Sequence, residues 1–328
     1  TQRRAYIIAD NKLALNAGWD EEMLRLEISE LGDLGFDLAL TGFSDEDMDA
    51  LFAKDAVQEG LTDPDDVPDL ADPISKQGDV WVLGAHKVMC GDSTSLVDVE
   101  SLMGGLMADA CWTDPPYNVN YESKLAGKIK NDSMADGKFR AFLYDAFISA
   151  YAVMKPGAPI YVAHADTEGL NFRGAFKDAE FKISGCLVWA KDSLVLGRSD
   201  YQWQHEPVLY GWKPGAAHRW YGGRKQTTLM QLGGSVFTQN EDGTVTAKIG
   251  DQSIVISGDN LKATQTESTI IRCEKPKRSS AHPTMKPVEL ISKMLRNSTR
   301  EGDIVVDLFG GSGSTLISCQ IGRASCRE

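Results

Sequence analysis

The sequence predicts an α/β fold, a doubly wound and mostly parallel sheet, and three observations indicate it. Short apolar runs alternate with helix-like segments from residue 79 onward. The tetrapeptide Asp-Pro-Pro-Tyr follows the apolar run 109–113, and a glycine-rich loop at 310–313 follows the run 303–308. Ligands bind such sheets at the carboxyl ends of the strands. We therefore expect these two loops, far apart in sequence, to converge on one ligand site.

The first 78 residues predict a small helical appendage and a linker. Residues 5–14 form a short helical pattern, 20–31 open with acidic residues and space their apolar positions by three and four, and a further helix runs over 44–52. The segment 62–78 has three prolines among several aspartates, and this composition predicts an extended acidic linker. The appendage therefore covers residues 1–61.

The alternating pattern begins at residue 79, and each apolar run is a candidate strand. A hairpin is expected within an insert at 232–268, because two β-rich runs there are separated by Gly250-Asp251. The predicted strands are 80–83, 86–90, 108–113, 158–163, 243–249 and 252–257, and the predicted helices are 95–103 and 139–154.

Charge is distributed unevenly along the chain. The net charge is −13, yet residues 1–110 carry 24 acidic and 7 basic side chains, whereas the rest carries 23 acidic and 27 basic. Basic groups near 219–225 and 272–278 could neutralise phosphates or be ordinary solvated surface. No apolar run reaches the roughly 18 residues that a membrane helix needs. We expect a cytoplasmic protein, and the scattered cysteines predict neither disulfides nor a metal site.

The Asp-Pro-Pro-Tyr loop has the chemistry to hold and activate an amino group on a planar base. Such an amine is a weak nucleophile because its lone pair is delocalised into the ring. The carboxylate of Asp114 and the main-chain carbonyl of Pro115 can accept its two hydrogens, while Pro116 helps to fix the loop and Tyr117 can stack on the base. The base must leave the duplex to reach them. By itself, the tetrapeptide favours an ordinary turn after a strand, and it is the context that reverses this interpretation.

The glycine loop Phe309-Gly310-Gly311-Ser312-Gly313 predicts close approach of backbone to a ligand. A nucleoside triphosphate site needs a lysine where Ser314 stands, and a dinucleotide fingerprint needs a third glycine where Leu316 stands. Both of these alternatives are therefore disfavoured.

These motifs together resemble the permuted class β of DNA amino-methyltransferases. The order is Asp-Pro-Pro-Tyr first and Phe-x-Gly-x-Gly later, with His-Pro-Thr-Met-Lys-Pro at 282–287 between them, and the resemblance covers about residues 79–320. It implies a Rossmann-like methyltransferase fold, S-adenosylmethionine as methyl donor and double-stranded DNA as substrate. The resemblance implies these donor-binding residues: Asp92, Asp307, Phe309, Gly310, Gly311, Ser312, Gly313, Thr284 and Lys286.

Several of these assignments have alternatives. The resemblance puts Asp92 near the donor's adenine, where it could instead be a helix cap. It puts Thr284 and Lys286 near the donor's carboxylate. Phe309 and Tyr117 could face the sulfonium, although Phe309 could also be core packing. The resemblance also implies a target-recognition region at about 213–280.

The target is predicted to be the N6 amine of adenine, because the resemblance associates Asp at the first motif position with adenine. Cytosine N4 is the alternative, since the two amines pose the same physical problem. His205-Glu206 falls where the family lines its target pocket, although a half-buried histidine with satisfied hydrogen bonds is the expected alternative there. The role of His164 is left open. The polar loop 118–131 could close on DNA, and a homodimer is possible.

The first residues resemble the tail of a ParB-type partition domain. The resemblance rests on Ile8-Ala9-Asp10-Asn11-Lys12-Leu13-Ala14 and on Ala17-Gly18-Trp19-Asp20. It leaves a second class of function open, a non-enzymatic DNA-binding or partition adaptor.

The last eight residues, 321–328, can be back-translated into a common sequencing-adapter sequence. We therefore expect an artefactual terminus. The resembled family continues into a strand that ends in an acidic residue holding the donor's ribose, and we expect this chain to stop before that strand and to bind the donor poorly.

Overall fold

The chain has two compact units, residues 1–58 and 59–328. The computed structural model describes residues 74–120, 131–195, 200–224, 226–231, 285–322 and 324–328. It also describes the short stretches 122–123, 127–128, 236–239, 244–249 and 252–256, and in the first unit residues 38–44 and the positions 24, 28, 31, 36 and 47.

The first unit begins a helix where the sequence predicts one. Ser44 and Asp47 bond reciprocally: the Asp47 carboxylate accepts from the Ser44 amide at 2.9 Å, and the Ser44 hydroxyl accepts from the Asp47 amide at 3.1 Å. This is a capping box. A 3-10 helix precedes it at Leu38–Thr41, while the predicted helix at 5–14 lies outside the described residues.

The second unit alternates strands with helices, and its elements within the described ranges are numbered here in chain order. The strands are β1 (Val80–Leu83), β2 (His86–Met89), β3 (Ala110–Thr113), β4 (Glu122–Ser123), β5 (Gly127–Lys128), β6 (Pro159–Ala163), β7 (Lys182–Val195), β8 (Trp203–Trp212), β9 (Leu229–Gln231), β10 (Val236–Gln239), β11 (Val245–Ile249), β12 (Gln252–Ile256), β13 (Ile304–Val306) and β14 (Ser325–Arg327). The helices are α1 (Leu96–Met103), α2 (Asp136–Val153), α3 (Gly169–Asp178), α4 (Val288–Arg296) and α5 (Ser314–Ile321).

Nine strands form one sheet in the order β1-β2-β14-β13-β3-β6-β8-β7-β9. The block from β2 to β6 is parallel, and β1 and β8 join it antiparallel. From β13 the chain passes through α5 to β14 on one side, whereas from β3 it passes through α2 to β6 on the other. The direction of winding therefore changes between β3 and β13, where such folds have their ligand crevice. The predicted fold class is confirmed.

The two central strands are in register and buried. Val305 and Val306 of β13 pair with Ala110 and Cys111 of β3. All four residues of β3 are buried, as expected of a strand covered by helices on both faces. The residues that follow these strands, Asp307 and Asp114, therefore emerge side by side.

Alternate residues of the central strands face two different cores. Ile160 and Val162 of β6 face a core rich in phenylalanine from α2 and α3, whereas Tyr161 and Ala163 face the apolar side of α4. Burying a side chain the size of Ile160 or Val162 stabilises the fold by about 1.5–3 kcal/mol. The two helical layers therefore hold the strand ends of the central crevice.

The expectation that the chain ends before the next strand is wrong. Ser325–Arg327 forms β14 between β13 and β2. Its main chain is bonded on both sides: the Ser325 amide donates to Asp303 at 2.8 Å and the Glu328 amide donates to Lys87 at 2.9 Å. A three-residue strand with one buried apolar side chain, Cys326, has no periodic pattern for sequence analysis to detect. The origin of residues 321–328 stays a prediction that nucleotide reads test.

The predicted hairpin insert is confirmed for its described residues. β11 and β12 pair antiparallel, and β10 adds a third strand to this separate sheet. Among the helices that the structure describes, none has the length and apolarity to cross a membrane.

An ion-pair cluster joins the two central strands, β3 and β13, at their amino-terminal ends. The buried Asp109 carboxylate accepts from Lys155 at 2.6 Å, from Arg219 at 2.8 Å and from the Ile304 amide at 3.0 Å. Arg219 also pairs with Asp303 at 2.9 Å. Arg219, a candidate phosphate contact in the sequence, is thus occupied within the fold, and the cluster joins β3 to β13.

We predict that Asp109→Ala lowers the free energy of unfolding by about 1.5–3 kcal/mol, because the Ile304 amide, Lys155 and Arg219 lose their shared buried acceptor. Urea denaturation measures this. The matched control is Asp178→Ala, which removes an exposed pair with Arg140 at 2.7 Å and should cost less than about 1 kcal/mol. Equal losses in the two variants would show that the cluster does not join the strands.

Candidate functional site

The two predicted loops meet through the buried carboxylate of Asp307. One oxygen accepts from the Thr113 hydroxyl at 3.0 Å and from the Phe309 amide at 3.0 Å, and the other accepts from the Thr315 hydroxyl at 2.7 Å. Thr113 ends β3 directly before Asp114, and Thr315 lies in the first turn of α5. One side chain therefore holds the end of β3, the glycine loop and the start of α5 together.

The electrostatics of Asp307 also place it close to Asp114. Burial raises the pKa of Asp307 to about 6, and the negative charge of Asp114 acts in the same direction. The hydrogen bonds from Phe309, Thr315 and Thr113 act in the opposite direction. The convergence expected of the two loops is what the geometry shows.

Asp114 presents a partly exposed carboxylate at the end of β3. The Tyr117 hydroxyl donates to one of its oxygens at 2.7 Å, and the Lys286 ammonium donates to the other at 2.7 Å. The Asp114 side chain is 24% exposed. A carboxylate has about four lone-pair positions, so two donors leave acceptor capacity for a third group that enters from the exposed side.

Glu206 on β8 completes this cluster, and sequence analysis gave it little weight. Its carboxylate accepts from the Tyr117 hydroxyl at 3.3 Å, lies 3.4 Å from the Lys286 ammonium and forms an ion pair with Lys191 on β7. Burial acts to raise the pKa of Glu206, but the two lysines outweigh it and hold the pKa below its ordinary value. Burial and the two carboxylates raise the pKa of Tyr117 well above its ordinary value.

Lys286, which the resemblance puts near the donor's carboxylate, contacts the two carboxylates of this cluster. Its ammonium contacts the Asp114 and Glu206 carboxylates and lies 5.1 Å from the centre of the Tyr117 ring, which is a cation–π contact. Burial acts to lower the pKa of Lys286, yet the two carboxylates raise it to about 12. Lys286 therefore stays charged at neutral pH. Thr284, two residues earlier, lies outside the described residues.

The glycine loop forms the second wall. A side chain at Gly310 would lie 2.5 Å from Glu328, so only glycine fits there. Gly311 has a φ of 60°, in the left-handed region that favours glycine. The hydroxyls of Ser312 and Ser314 lie 3.0 Å apart. The Phe309 ring packs edge-on against Phe142 at 5.9 Å, which supports the core-packing alternative for this residue.

A small cleft of about 40 Å³ opens between β2, α1 and the end of β13. Val99, Leu102 and Leu308 give it apolar walls, and Asp92 and Glu328 line it with carboxylates. Burial raises the pKa of Glu328, and one of its oxygens, Oε1, is buried with no hydrogen-bond partner among the residues that the structure describes. Such an arrangement suits an apolar ring system that carries hydroxyl donors.

The alternative for Asp92 is settled by the start of α1. Ser95 is the N-cap, and its hydroxyl accepts from the Asp98 amide at 3.3 Å. Asp92 instead accepts from the amide and the hydroxyl of Thr94, at 2.9 and 2.7 Å. Asp92 is thus a wall of the cleft and does not cap the helix.

Two histidines considered from sequence lie beside the cluster. Burial lowers the pKa of His164 to about 4, and its ring packs against Phe172 at 5.1 Å. Phe172 also meets Tyr117 edge-on at 6.4 Å. His205 is half-buried, as expected, and lies 5.6 Å from Trp203. His164 therefore supports the aromatic wall behind Tyr117.

Sequence analysis missed Lys191 and Glu328 and underrated Glu206. Lys191 and Glu206 lie on neighbouring antiparallel strands, and the pairing of Ala190 with His205 brings them together. A charged residue directly before the buried run 207–209 of β8 was the available signal for Glu206. For Glu328 there was no signal, because β14 before it has no pattern that sequence analysis detects.

Asn118 fixes the chain direction immediately after Tyr117. It has a left-handed φ of 59°, which few residues other than glycine adopt. Its amide group donates to the Met134 carbonyl at 3.1 Å and accepts from the Met134 amide at 2.6 Å. The base of the loop 118–131 is closed in this way.

Comparison with known proteins gives the following matches. A family model described as DNA methylase (N6/N4) matches residues 108–323, and a ParB-methyltransferase HTH domain matches residues 22–77. The latter match confirms the resemblance to a ParB-type domain and extends over the segment interpreted as a linker.

Among curated relatives, the chain is 25% identical over 221 residues to the DNA adenine methyltransferase YhdJ of Escherichia coli (strain K12), covering 63% of this chain and 66% of that protein. It is 24% identical over 218 residues to the type II methyltransferase M.HpaI of Haemophilus parainfluenzae, covering 65% of this chain and 60% of that protein. The chain thus spans less than two thirds of the length of either relative.

Among solved structures, the PvuII DNA methyltransferase (cytosine-N4-specific) matches with a TM-score of 0.47 and 14% identity, over 74% of this chain and 80% of that chain. The M1.HpyAVI–SAM complex matches with a TM-score of 0.44 and 17% identity, over 73% and 89%.

We predict that Asn118→Ala lowers the free energy of unfolding by about 2–3 kcal/mol, because it loses two hydrogen bonds and strains the left-handed backbone. The matched control is Asn118→Gly, which loses the same bonds but tolerates this φ, and it should be more stable than the alanine variant by about 1 kcal/mol. Chemical denaturation measures both. Equal stabilities of the two variants would show that the backbone conformation is not what Asn118 provides.

Proposed function

Since the chain belongs to the N6/N4 DNA methylase family, we propose that it transfers a methyl group from S-adenosylmethionine to the exocyclic N6 amine of adenine in double-stranded DNA. The observation that carries this proposal is the position of Asp114: a partly exposed carboxylate at the end of β3, joined through Thr113 and Asp307 to the glycine loop.

The target side of the site activates the amine by accepting its hydrogens. The Asp114 carboxylate and the Pro115 carbonyl accept hydrogen bonds from the two N–H groups of the amine. These bonds favour a pyramidal nitrogen with a localised lone pair. Pro115 is buried, and together with Pro116 it holds the acceptors in place before reaction. Tyr117 offers its aromatic ring to the extruded base.

The donor side fits S-adenosylmethionine on three observations. The apolar walls of the cleft suit an adenine ring, the Glu328 oxygen that has no partner among the described residues suits a ribose hydroxyl, and the left-handed backbone at Gly311 leaves space beside the loop. Asp92, Asp307, Phe309, Ser312 and Gly313 complete this proposed wall, with Thr284 from the segment before α4, whereas Lys286 of that segment contacts the target-side carboxylates. When bound, the donor supplies a methyl carbon attached to a positively charged sulfur.

Adenine is the proposed target for two reasons. Asp at the first motif position is associated with adenine in the resembled class, and the similar protein of Escherichia coli is named a DNA adenine methyltransferase. Cytosine N4 is the alternative product, and a non-enzymatic partition adaptor is the alternative of another class. The proposal also includes DNA contact by residues 213–280. It further includes a homodimer and a cytoplasmic location.

We predict that Asp114→Ala lowers the rate of methyl transfer at least about a hundredfold, because one preorganised polar partner of the reacting group is lost. Donor affinity should change by less than about threefold, since Asp114 lies on the target side. The assay incubates the full chain with labelled S-adenosylmethionine and mixed duplex DNA, and identifies the nucleoside by digestion and mass spectrometry.

The matched control is Asp178→Ala, an exposed aspartate on α3. It should retain wild-type turnover. N6-methyladenine in the digest supports the proposal, N4-methylcytosine moves it to the alternative amine, and DNA binding without methylation by the wild-type chain identifies the adaptor. Unchanged turnover in Asp114→Ala would remove the proposed catalytic role.

A further inference from the structure

We propose that Glu206 is a positioning residue of the reaction: it shares Lys286 and the Tyr117 hydroxyl with Asp114, and so keeps Asp114 able to accept the target amine. This inference rests on the proposed function. It concerns a residue outside the Asp-Pro-Pro-Tyr loop, the glycine loop and the segment before α4.

Each oxygen of the Glu206 carboxylate has its own partners. Oε2 lies 3.3 Å from the Tyr117 hydroxyl and 3.4 Å from the Lys286 ammonium, and Oε1 is paired with Lys191. The Glu206 side chain is 20% exposed and that of Lys286 is 5% exposed. Two of the three partners of Glu206 are thus the same two groups that donate to Asp114.

The sheet holds Glu206 in this position independently of the two loops. It lies on β8, opposite Trp189 of β7. Two residues further along β8, Val208 and Leu209 are fully buried and pair with β6. The carboxylate is therefore fixed by an antiparallel strand pair, and its strand, β8, is two strands away from β3 in the sheet.

Sharing of Lys286 has a defined effect on Asp114. A buried ammonium requires a nearby anion, and if Asp114 were the only one, its carboxylate would be engaged fully in a close ion pair. Glu206 supplies a second anion for Lys286, and Lys191 balances the added negative charge. The four side chains then alternate in sign, and their formal charges sum to zero. Asp114 is left with lone-pair capacity for the incoming amine.

Sharing of the Tyr117 hydroxyl fixes the aromatic ring. Tyr117 has one hydroxyl proton and two carboxylate acceptors, at 2.7 Å and 3.3 Å. With Lys286 over the ring and Phe172 at its edge, the position of Tyr117 is determined from several directions. Loss of the Glu206 charge would loosen both the ring and the ammonium.

The inference separates the rate of the chemical step from binding. Glu206 acts through Lys286 and Tyr117, and the donor cleft is lined by other residues. A change at Glu206 should therefore lower kcat, while KM for DNA and the dissociation constant of the donor stay within about threefold of wild type. Loss of a residue with a purely structural role would instead lower the free energy of unfolding, without a selective decrease in kcat.

The experiment compares Glu206→Gln, which keeps the shape but removes the charge, with Glu206→Asp, which keeps the charge but shortens the side chain. We expect Glu206→Gln to lower kcat roughly ten- to a hundredfold, the range for loss of hydrogen bonds to charged groups. The kcat of Glu206→Asp should be at least about threefold higher than that of Glu206→Gln. The matched control is Glu100→Gln, an exposed glutamate on α1, which should have wild-type kcat.

A double variant tests whether Glu206 acts through Lys286. Lys286→Met alone removes the shared ammonium, and adding Glu206→Gln should then lower kcat by much less than it does in the wild-type background. If the two substitutions lower kcat by independent factors that simply multiply in the double variant, the inference is overturned. All rates are expressed per active site, counted by binding of S-adenosylmethionine, so that loss of folded protein is not mistaken for loss of kcat.

The outcomes distinguish the inference from the proposed function. A wild-type chain that transfers no methyl group to DNA overturns both. An active wild-type chain with an equally active Glu206→Gln variant, per active site, overturns the role of Glu206 alone. Selective loss of kcat, partial recovery by Glu206→Asp and non-additivity with Lys286→Met support it.

Discussion

The site depends on one buried carboxylate, that of Asp307. It is bonded to the last residue of β3, to the glycine loop and to the first turn of α5. Burial makes its charge costly, as the raised pKa shows, and the fold offsets that cost with three donors from three segments. These donors exist in this arrangement only when the two central strands are in register. The carboxylate therefore makes the geometry of the donor side depend on that of the target side.

The target side is held together by a second kind of constraint, charge balance in a largely buried place. Asp114, Glu206, Lys191 and Lys286 form a chain of alternating sign with the Tyr117 hydroxyl between the two carboxylates. Removal of any one member leaves this largely buried cluster with a net charge. The Asp114 carboxylate is thus supported from the antiparallel part of the sheet as well as from its own loop. At the amino-terminal ends of β3 and β13, the Asp109 cluster fixes one strand against the other.

Local patterns allowed the fold class, the strands around β3 and β6, and the two loops to be predicted. Each is a contiguous feature: an apolar run, a rigid tetrapeptide or a cluster of glycines. The contacts of Lys286 with Asp114 and Glu206 could not be predicted, because Lys286 is 172 residues from Asp114 and Glu206 comes from a different strand pair. The same holds for β14, whose place between β13 and β2 depends on main-chain pairing and not on any side-chain pattern. The residues that sequence could not assign are therefore those defined by long-range pairing.

The most direct measurement is a double-mutant cycle on the two hydroxyls that Asp307 joins. Thr113→Val and Thr315→Val each remove one donor with little change of shape, and urea denaturation gives the free energy of unfolding of each variant and of the pair. If Asp307 couples the end of β3 to the start of α5, the losses will be non-additive by at least about 0.5 kcal/mol. Losses that add within about 0.3 kcal/mol would contradict the account, since the two loops would then be held independently.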